Sequence, residues 1–415
     1  MLATPSTIYR SLDTVTVIDY IRNCPEVSGI FQANEPLEAI EVGDGNLNLV
    51  FKVAAVADPE RTVVVKQALP YVRLVGESWP LPTDRARIEA QSLEIENRLV
   101  PQHSPHLYFY DPHLFLMVMQ NLNHHIIMRQ GLIQGAQYPH FAEHIGLFLA
   151  KTLGMTSDFV LDYRTKKEEI ARFINAEMCK ISEDLIFTEP YRKHPQNLYH
   201  AELEPQVLAL QADESLRVEV AQLKEKFMTQ AQALLHGDLH TGSIMVNQND
   251  TYVIDSEFAF YGPMGFDIGA VIGNLLLSYA SHEVRTPDDA KRTEFRAYLT
   301  DTVIALWKVF EREFQRLVWA NVDVHSFPVA YQRDYLHRVL QDAAGYAGAK
   351  IIRRIIGLAG VADIRGIEDV KDRSIAASLA LNIGETLIKK RHLINDVESI
   401  IEIARGSKPT FPWNV

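Results

Sequence analysis

The rhythm of hydrophobic and polar positions changes part-way along the chain. Residues 37–53 (LEAIEVGDGNLNLVFKV) predict a strand, a glycine turn and a second strand. Residues 61–69 (RTVVVKQAL) predict another strand, rich in β-branched side chains. Residues 84–99 suit a helix with Asp84 as its N-cap. Residues 107–119 are two apolar runs broken by Asp111-Pro112, a hairpin signal. A short helical segment precedes residue 30. Further on the period lengthens: Phe141, Ile145, Phe148 and Leu149 recur at helical spacing within 138–154. Residues 200–235, 285–320, 330–352 and 370–405 also predict helices, and Asp267 begins another. The exception is 244–260, where two β-like runs flank the turn Asn247-Gln248-Asn249-Asp250. The expected class is α+β, with a β-rich N-terminal lobe (1–120) and a mainly helical C-terminal lobe (121–415). A cleft between two lobes is a preferred place for a ligand.

Composition narrows the partners. Lys and Arg number 41 against 53 Asp and Glu, a net charge of −12. Non-specific binding to nucleic acid or to an anionic membrane needs a basic field, so both are excluded as partners. A phosphorylated small molecule remains compatible, provided a few basic residues are placed against it. No apolar stretch approaches the length of a membrane span, and the start MLATPSTIYRSLD lacks the basic-then-apolar pattern of a signal peptide. Cys24 and Cys179 form neither a disulfide framework nor a metal pattern. The expectation is two free thiols in a cytoplasmic protein.

The candidate chemistry sits in three places. His236–Ser243 reads HGDLHTGS just before one strand of the later hairpin, and Asp255 and Glu257 follow the other strand in VIDSEF. Two carboxylates at a strand end suit a hard divalent cation such as Mg²⁺, which prefers oxygen ligands and commonly binds phosphates too. Asp238 can act as a general base toward a hydroxyl. A zinc site at His236 and His240 is the alternative, although Gly237 and Gly242 argue for a loop rather than the helix that such spacing needs. In EVGDGNLNLVFKV, Gly43 and Gly45 let backbone N–H groups approach phosphate oxygens, and Asn46 and Asn48 add amides; an ordinary hairpin turn would look the same. Lys66, inside the β-branched run, needs an anionic partner if it is buried.

Glycine turn, strand lysine, helix with a glutamate, hairpin, Asp loop and acidic motif follow the protein-kinase-like order. Together HGDLHTGS, IDSEFAFYGPMGFDIG, GDGNLNLVF, GESWPL and AGAKIIRRIIG resemble the 5-methylthioribose kinases, small-molecule kinases with the fold shared by aminoglycoside phosphotransferases and protein kinases. The resemblance implies Asp238 as catalytic base toward the acceptor hydroxyl, and Asp255 and Glu257 as Mg²⁺ ligands around Ser256. It implies ATP held by Gly43, Asp44, Gly45, Asn46 and Asn48, by Lys66, and by the backbone of Gln120, Asn121 and Leu122 at the adenine. Glu89 or Glu94 would pair with Lys66. Two departures from protein kinases occur together: Ser243 stands where a metal-binding Asn is usual, and Asp255-Ser256-Glu257 replaces Asp-Phe-Gly. Arg353 and Arg354 would contact the sugar and the transferring phosphoryl; adjacent helical residues point about 100° apart, so at least one is expected to face inward. Asp267 would hold the HGD loop, and Trp79 would lie in a loop near the nucleotide. The implied reaction makes 5-methylthioribose 1-phosphate in methionine salvage, in a homodimer. The alternatives are a kinase of the same fold for an aminoglycoside, choline or another sugar, and a non-catalytic nucleotide-binding scaffold.

Overall fold

The computed structural model describes residues 9–32, 34–42, 47–72 and 76–412, with backbone alone at 72 and 76–79. Gly43, Asp44, Gly45 and Asn46 therefore lie outside the described residues, as does the side chain of Trp79. The chain divides into two compact units: the residues up to His125 together with Ile254–Ala259, and Ile126–Val253 together with the residues from Phe260 on.

The first unit runs α1 (Thr16–Arg22), β1 (Leu37–Glu41), β2 (Asn48–Ala55), β3 (Asp58–Ala68), a ribbon of β4 (Tyr71–Val72) and β5 (Gly76–Pro80), α2 (Arg85–Leu99), β6 (Leu107–Asp111) and β7 (Leu116–Gln120). Five strands form one antiparallel sheet in the order β1-β2-β3-β7-β6. Alternation along a strand sends successive side chains to opposite faces. Val63 and Val65 of β3, with Leu116 and Val118 of β7, join the core under Val17 and Ile21 of α1. The opposite face carries Ala68, Met117 and Met119, packed on Ala86 and Ala90 of α2. Lys66 belongs to that second face, two residues before Ala68, which directs it toward α2.

Two local readings are corrected here. Asp84 sits in helical backbone conformation and its side chain caps no N–H; its carboxylate accepts from Nε and Nη2 of Arg87 instead. The segment around Trp79, expected as a loop, is strand β5 paired with β4.

The second unit opens with β8 (Ile126–Ile127), α3 (Met128–Ile133), α4 (Phe141–Met155), α5 (Tyr163–Arg172), α6 (Ala176–Phe187), α7 (Glu204–Ala212) and α8 (Glu214–Thr229). Next come β9 (Ala233–Leu235), β10 (Ile244–Val246), β11 (Thr251–Val253) and β12 (Phe260–Gly262). It ends with α9 (Gly265–Arg285), α10 (Asp289–Leu317), α11 (Val329–Ile356), α12 (Ala362–Arg365), α13 (Val370–Lys390) and α14 (Val397–Gly406). The single helix expected over 200–235 is two helices and a strand, broken where the Asp213 side chain accepts from Leu216 N and caps α8. The helix expected over 370–405 breaks likewise, with Asp396 capping α14 through Ser399 N.

Helix α9 is buried from Gly265 to His282 and forms the axis of this unit. Small residues bring α11 against it. A Cβ on Gly269 would lie 2.5 Å from the Ala343 carbonyl oxygen, so this crossing requires glycine. The aromatic side chains of Phe187, Phe227, Phe266 and Tyr346 pack together across α6, α8, α9 and α11. Among the described residues, no helix is long and apolar enough to cross a membrane. Cys24 and Cys179 are unpaired thiols.

Candidate active site

Residues with chemistry gather in one cluster in each unit. In the first, Lys66 Nζ stands 2.7 Å from Glu89 Oε1 and 2.6 Å from Asp255 Oδ1. Glu89 lies on the α2 turn that faces the sheet, whereas Glu94 is exposed, so Glu89 is the helix partner. Burial alone would lower the Lys66 pKa, but Asp255, Glu89 and Glu257 hold it above its ordinary value. Burial pushes Glu89 up to about 7 despite Lys66, with Glu257 and Asp255 adding to the rise.

Asp255 adopts a left-handed backbone conformation (φ 67°, ψ 47°), which a non-glycine residue seldom takes. This bend turns the chain into the 3₁₀ turn Ser256–Phe258 and leaves Asp255 and Glu257, two residues apart, in different surroundings. The Asp255 side chain is 45% exposed and that of Glu257 only 9%. Glu257 Oε2 accepts from Arg85 Nε at 3.0 Å and from Asn48 Nδ2 at 3.1 Å. Arg85, fully buried, also donates to the Leu47, Leu69 and Pro82 carbonyls and to Asn48 Oδ1. Asn48, expected at the nucleotide, thus commits both ends of its amide to Glu257 and Arg85. Gln120 N–H donates to the His106 carbonyl, Asn121 Nδ2 donates to Thr62 Oγ1, and Leu122 is buried.

In the second unit, Asp238 lies in the loop between β9 and β10. The loop turns at Gly237 with φ 86°, open to glycine at little cost. Asp267, in the first turn of α9, accepts from His236 N at 2.6 Å and Gly237 N at 3.1 Å, so its carboxylate fixes the loop backbone. Four groups approach the Asp238 carboxylate. Lys350 Nζ is 3.0 Å from Oδ1 and Arg353 Nη1 is 3.7 Å from it. His240 Nε2 is 3.3 Å from Oδ2 and Arg354 Nη2 is 3.9 Å from it. His240 Nδ1 accepts from Gly242 N, which leaves Nε2 as the N–H that faces Asp238. Burial holds the His240 pKa down to about 4, against the pull of Asp238, so the ring is neutral. Both ring nitrogens of His240 are thus engaged within the loop.

Burial would raise the Asp238 pKa, but Lys350, His240 and Arg353 hold it well below the usual carboxylate range. Burial lowers Lys350 to about 8 and also lowers both arginines. Arg353 Nε and Arg354 Nε and Nη2 are buried without hydrogen-bond partners. Arg129 Nε sits 2.9 Å from Asp363 Oδ2 nearby on α3 and α12. This cluster therefore sets Lys350, Arg353, Arg354 and Arg129 against Asp238 and Asp363, an excess of positive charge with donors to spare. Such a site suits an anion or a group that becomes anionic as it reacts.

A family model described as Phosphotransferase enzyme family matches residues 38–307. A methylthioribose kinase of Enterobacter sp. (strain 638) is 44% identical over 395 residues, covering 94% of this chain and 98% of that protein. Another, of Geobacillus sp. (strain WCH70), is 45% identical over 374 residues, covering 90% and 91%. The chain belongs to the methylthioribose kinase family. It is thus a phosphotransferase, and its fold is the protein-kinase-like one, a β-rich unit and a mainly helical unit. Among solved structures, choline kinase from Cryptosporidium parvum Iowa II is similar at 14% identity, with a TM-score of 0.46 over 95% of this chain and 99% of that one.

Two residues carry more of the geometry than sequence reasoning gave them. Arg85 has partners far away in sequence, and no local pattern announces it. Lys350 was legible: with Arg353 and Arg354 it stands at i, i+3 and i+4, one face of a helix. Arg353 and Arg354 both face inward, each 7% exposed, although adjacent helical residues diverge. Their length lets both guanidinium groups converge on Asp238 from different directions.

Proposed function

We propose that the protein transfers the γ-phosphoryl group of ATP to the anomeric hydroxyl of 5-methylthioribose, giving 5-methylthioribose 1-phosphate for methionine salvage. The observation that carries this reading is an ionised Asp238 ringed by Lys350, His240, Arg353 and Arg354, in a chain of this family. Asp238 takes the hydroxyl proton as the acceptor oxygen bonds to phosphorus and the nucleoside diphosphate leaves. Arg353 and Arg354 meet the charge that gathers on the phosphoryl oxygens. Phosphoryl transfer asks little covalent work of the protein, so placement and charge carry the rate.

In the first unit Lys66, oriented by Glu89, serves the nucleotide phosphates together with Gly43, Asp44, Gly45 and Asn46, and Gln120, Asn121 and Leu122 serve the adenine. Asn48 and Arg85 serve by orienting Glu257. The donor set at Asp255 and Glu257 is two carboxylates, all oxygen. That fits Mg²⁺, which keeps several waters and takes phosphate oxygens as further ligands. Bound there, Mg²⁺ would neutralise phosphate charge. A cytoplasmic homodimer completes the reading: the sequence pattern supports the compartment, and the family resemblance alone supports the dimer.

A panel of 5-methylthioribose, ribose, choline, glucosamine and an aminoglycoside, each supplied with ATP and Mg²⁺, tests the assignment. ATP consumption should be at least tenfold faster in kcat/KM with 5-methylthioribose than with the others. A preference for any other acceptor overturns it.

A further inference from the structure

Lys350 makes the shortest cation contact to Asp238, at 3.0 Å, and it is a hydrogen bond, whereas the guanidinium groups stand off at 3.7 and 3.9 Å. The lysine is 1% exposed, and its ammonium lies 4.3 Å from the centroid of the Phe266 ring. Phe266 precedes Asp267, the residue that clamps His236 and Gly237. The first turn of α9 therefore fixes both the lysine and the loop that carries its partner. A buried carboxylate left alone favours its neutral form and several rotamers; one short bond to an ammonium opposes both tendencies.

We propose that Lys350 is the positioning residue of the general base: through Oδ1 it sets the Asp238 rotamer and keeps the carboxylate ionised. This rests on the reading of Asp238 as the base. In the step it serves, the acceptor O–H proton passes to Asp238 and the electron pair left on that oxygen forms the new O–P bond. The bridging P–O bond breaks, and its pair leaves with the nucleoside diphosphate. Lys350 keeps its proton throughout.

The other charged or titratable groups around the carboxylate do not replace it. His240, from the loop, is neutral. Arg353 and Arg354, from α11, keep buried N–H groups without partners and lie farther off. Arg129 on α3 is paired with Asp363 of α12, and Asp267 on α9 is taken up by backbone.

The test is a pH profile of kcat for Lys350→Met, Lys350→Gln and Lys350→Arg. Lys350→Met should lose ~10- to 100-fold in kcat, the scale of a misplaced reacting group. Its acid limb should move to higher pH by about one unit, with KM for ATP within about twofold of wild type, as positioning of the base alone requires. Lys350→Arg should restore the acid limb, because it restores the charge. Circular dichroism and thermal melting establish that each variant is folded. If Lys350→Met does not fold, Lys350→Gln carries the same expectation. A folded neutral variant with wild-type kcat and acid limb overturns the proposal. Asp238→Ala is run alongside. If it is inactive while the neutral lysine variants behave as wild type, only the role of Lys350 fails; if it is active, the base itself is wrongly assigned.

Discussion

Replacing Arg85 with Met should loosen the first unit from a point that no local sequence pattern marks. The guanidinium is fully buried and holds Glu257 on Nε at 3.0 Å, while its other nitrogens serve three carbonyls and Asn48. Methionine fills similar volume but takes the guanidinium away from a carboxylate that is 9% exposed. Breaking a buried pair from one side costs about 3–5 kcal/mol, chiefly the burden of the remaining charge. The lost carbonyl bonds fall within that figure, since net hydrogen-bond contributions are near 1 kcal/mol and do not simply add. The expected loss is thus ~4 kcal/mol in opening of the sheet. Hydrogen exchange of β2 and β3 amides measures it directly, because a chain of two units is not bound to unfold in one step. Adding Glu257→Met to Arg85→Met removes the carboxylate that lost its guanidinium and should recover about 2 kcal/mol or more. A loss under about 1 kcal/mol for Arg85→Met, or a double variant as unstable as the sum of the singles, refutes the reasoning.

Asp267→Ala removes the acceptor of two buried loop N–H groups; it should cost about 2–4 kcal/mol in the opening free energy read by hydrogen exchange of α9 amides and lower kcat more than it raises KM for ATP. An unchanged kcat would show that the loop holds itself. His282 is held by burial to about 4, below its ordinary value, and contacts the Leu132 carbonyl and Thr286. The unfolded chain therefore binds a proton there between about pH 6.5 and 4 that the native protein does not. That histidine costs native stability as pH falls through the window, by up to ~1.4 kcal/mol per unit. His282→Gln should flatten the stability–pH curve by that slope relative to wild type, and a parallel curve would contradict the burial argument.

What the sequence disclosed follows from how local each cause is. Strand β2 follows from its glycine turn, β3 from its β-branched run, β7 from an apolar run after Asp111-Pro112, α4 from the helical period, and the later hairpin from its Asn-rich turn. The helix breaks at Asp213 and Asp396 were also written locally, as acidic residues two and three places before a serine, but the apolar period runs through them. The pairing of Lys66 with Glu89 rather than Glu94 depends on which face of α2 meets the sheet, which spacing alone leaves open. Arg85 depends on a partner 172 residues away. The convergence of Arg353 and Arg354 on one carboxylate arises from side-chain length, which a helical wheel ignores.

The most direct test is ³¹P NMR of wild-type protein and Asp238→Ala incubated with ATP, Mg²⁺ and 5-methylthioribose. The account predicts a new resonance coupled to the anomeric proton in the wild-type reaction. It predicts at least a ~10²-fold slower appearance with Asp238→Ala, at unchanged affinity for ATP. Phosphate on another hydroxyl, or a comparable rate without Asp238, would contradict it.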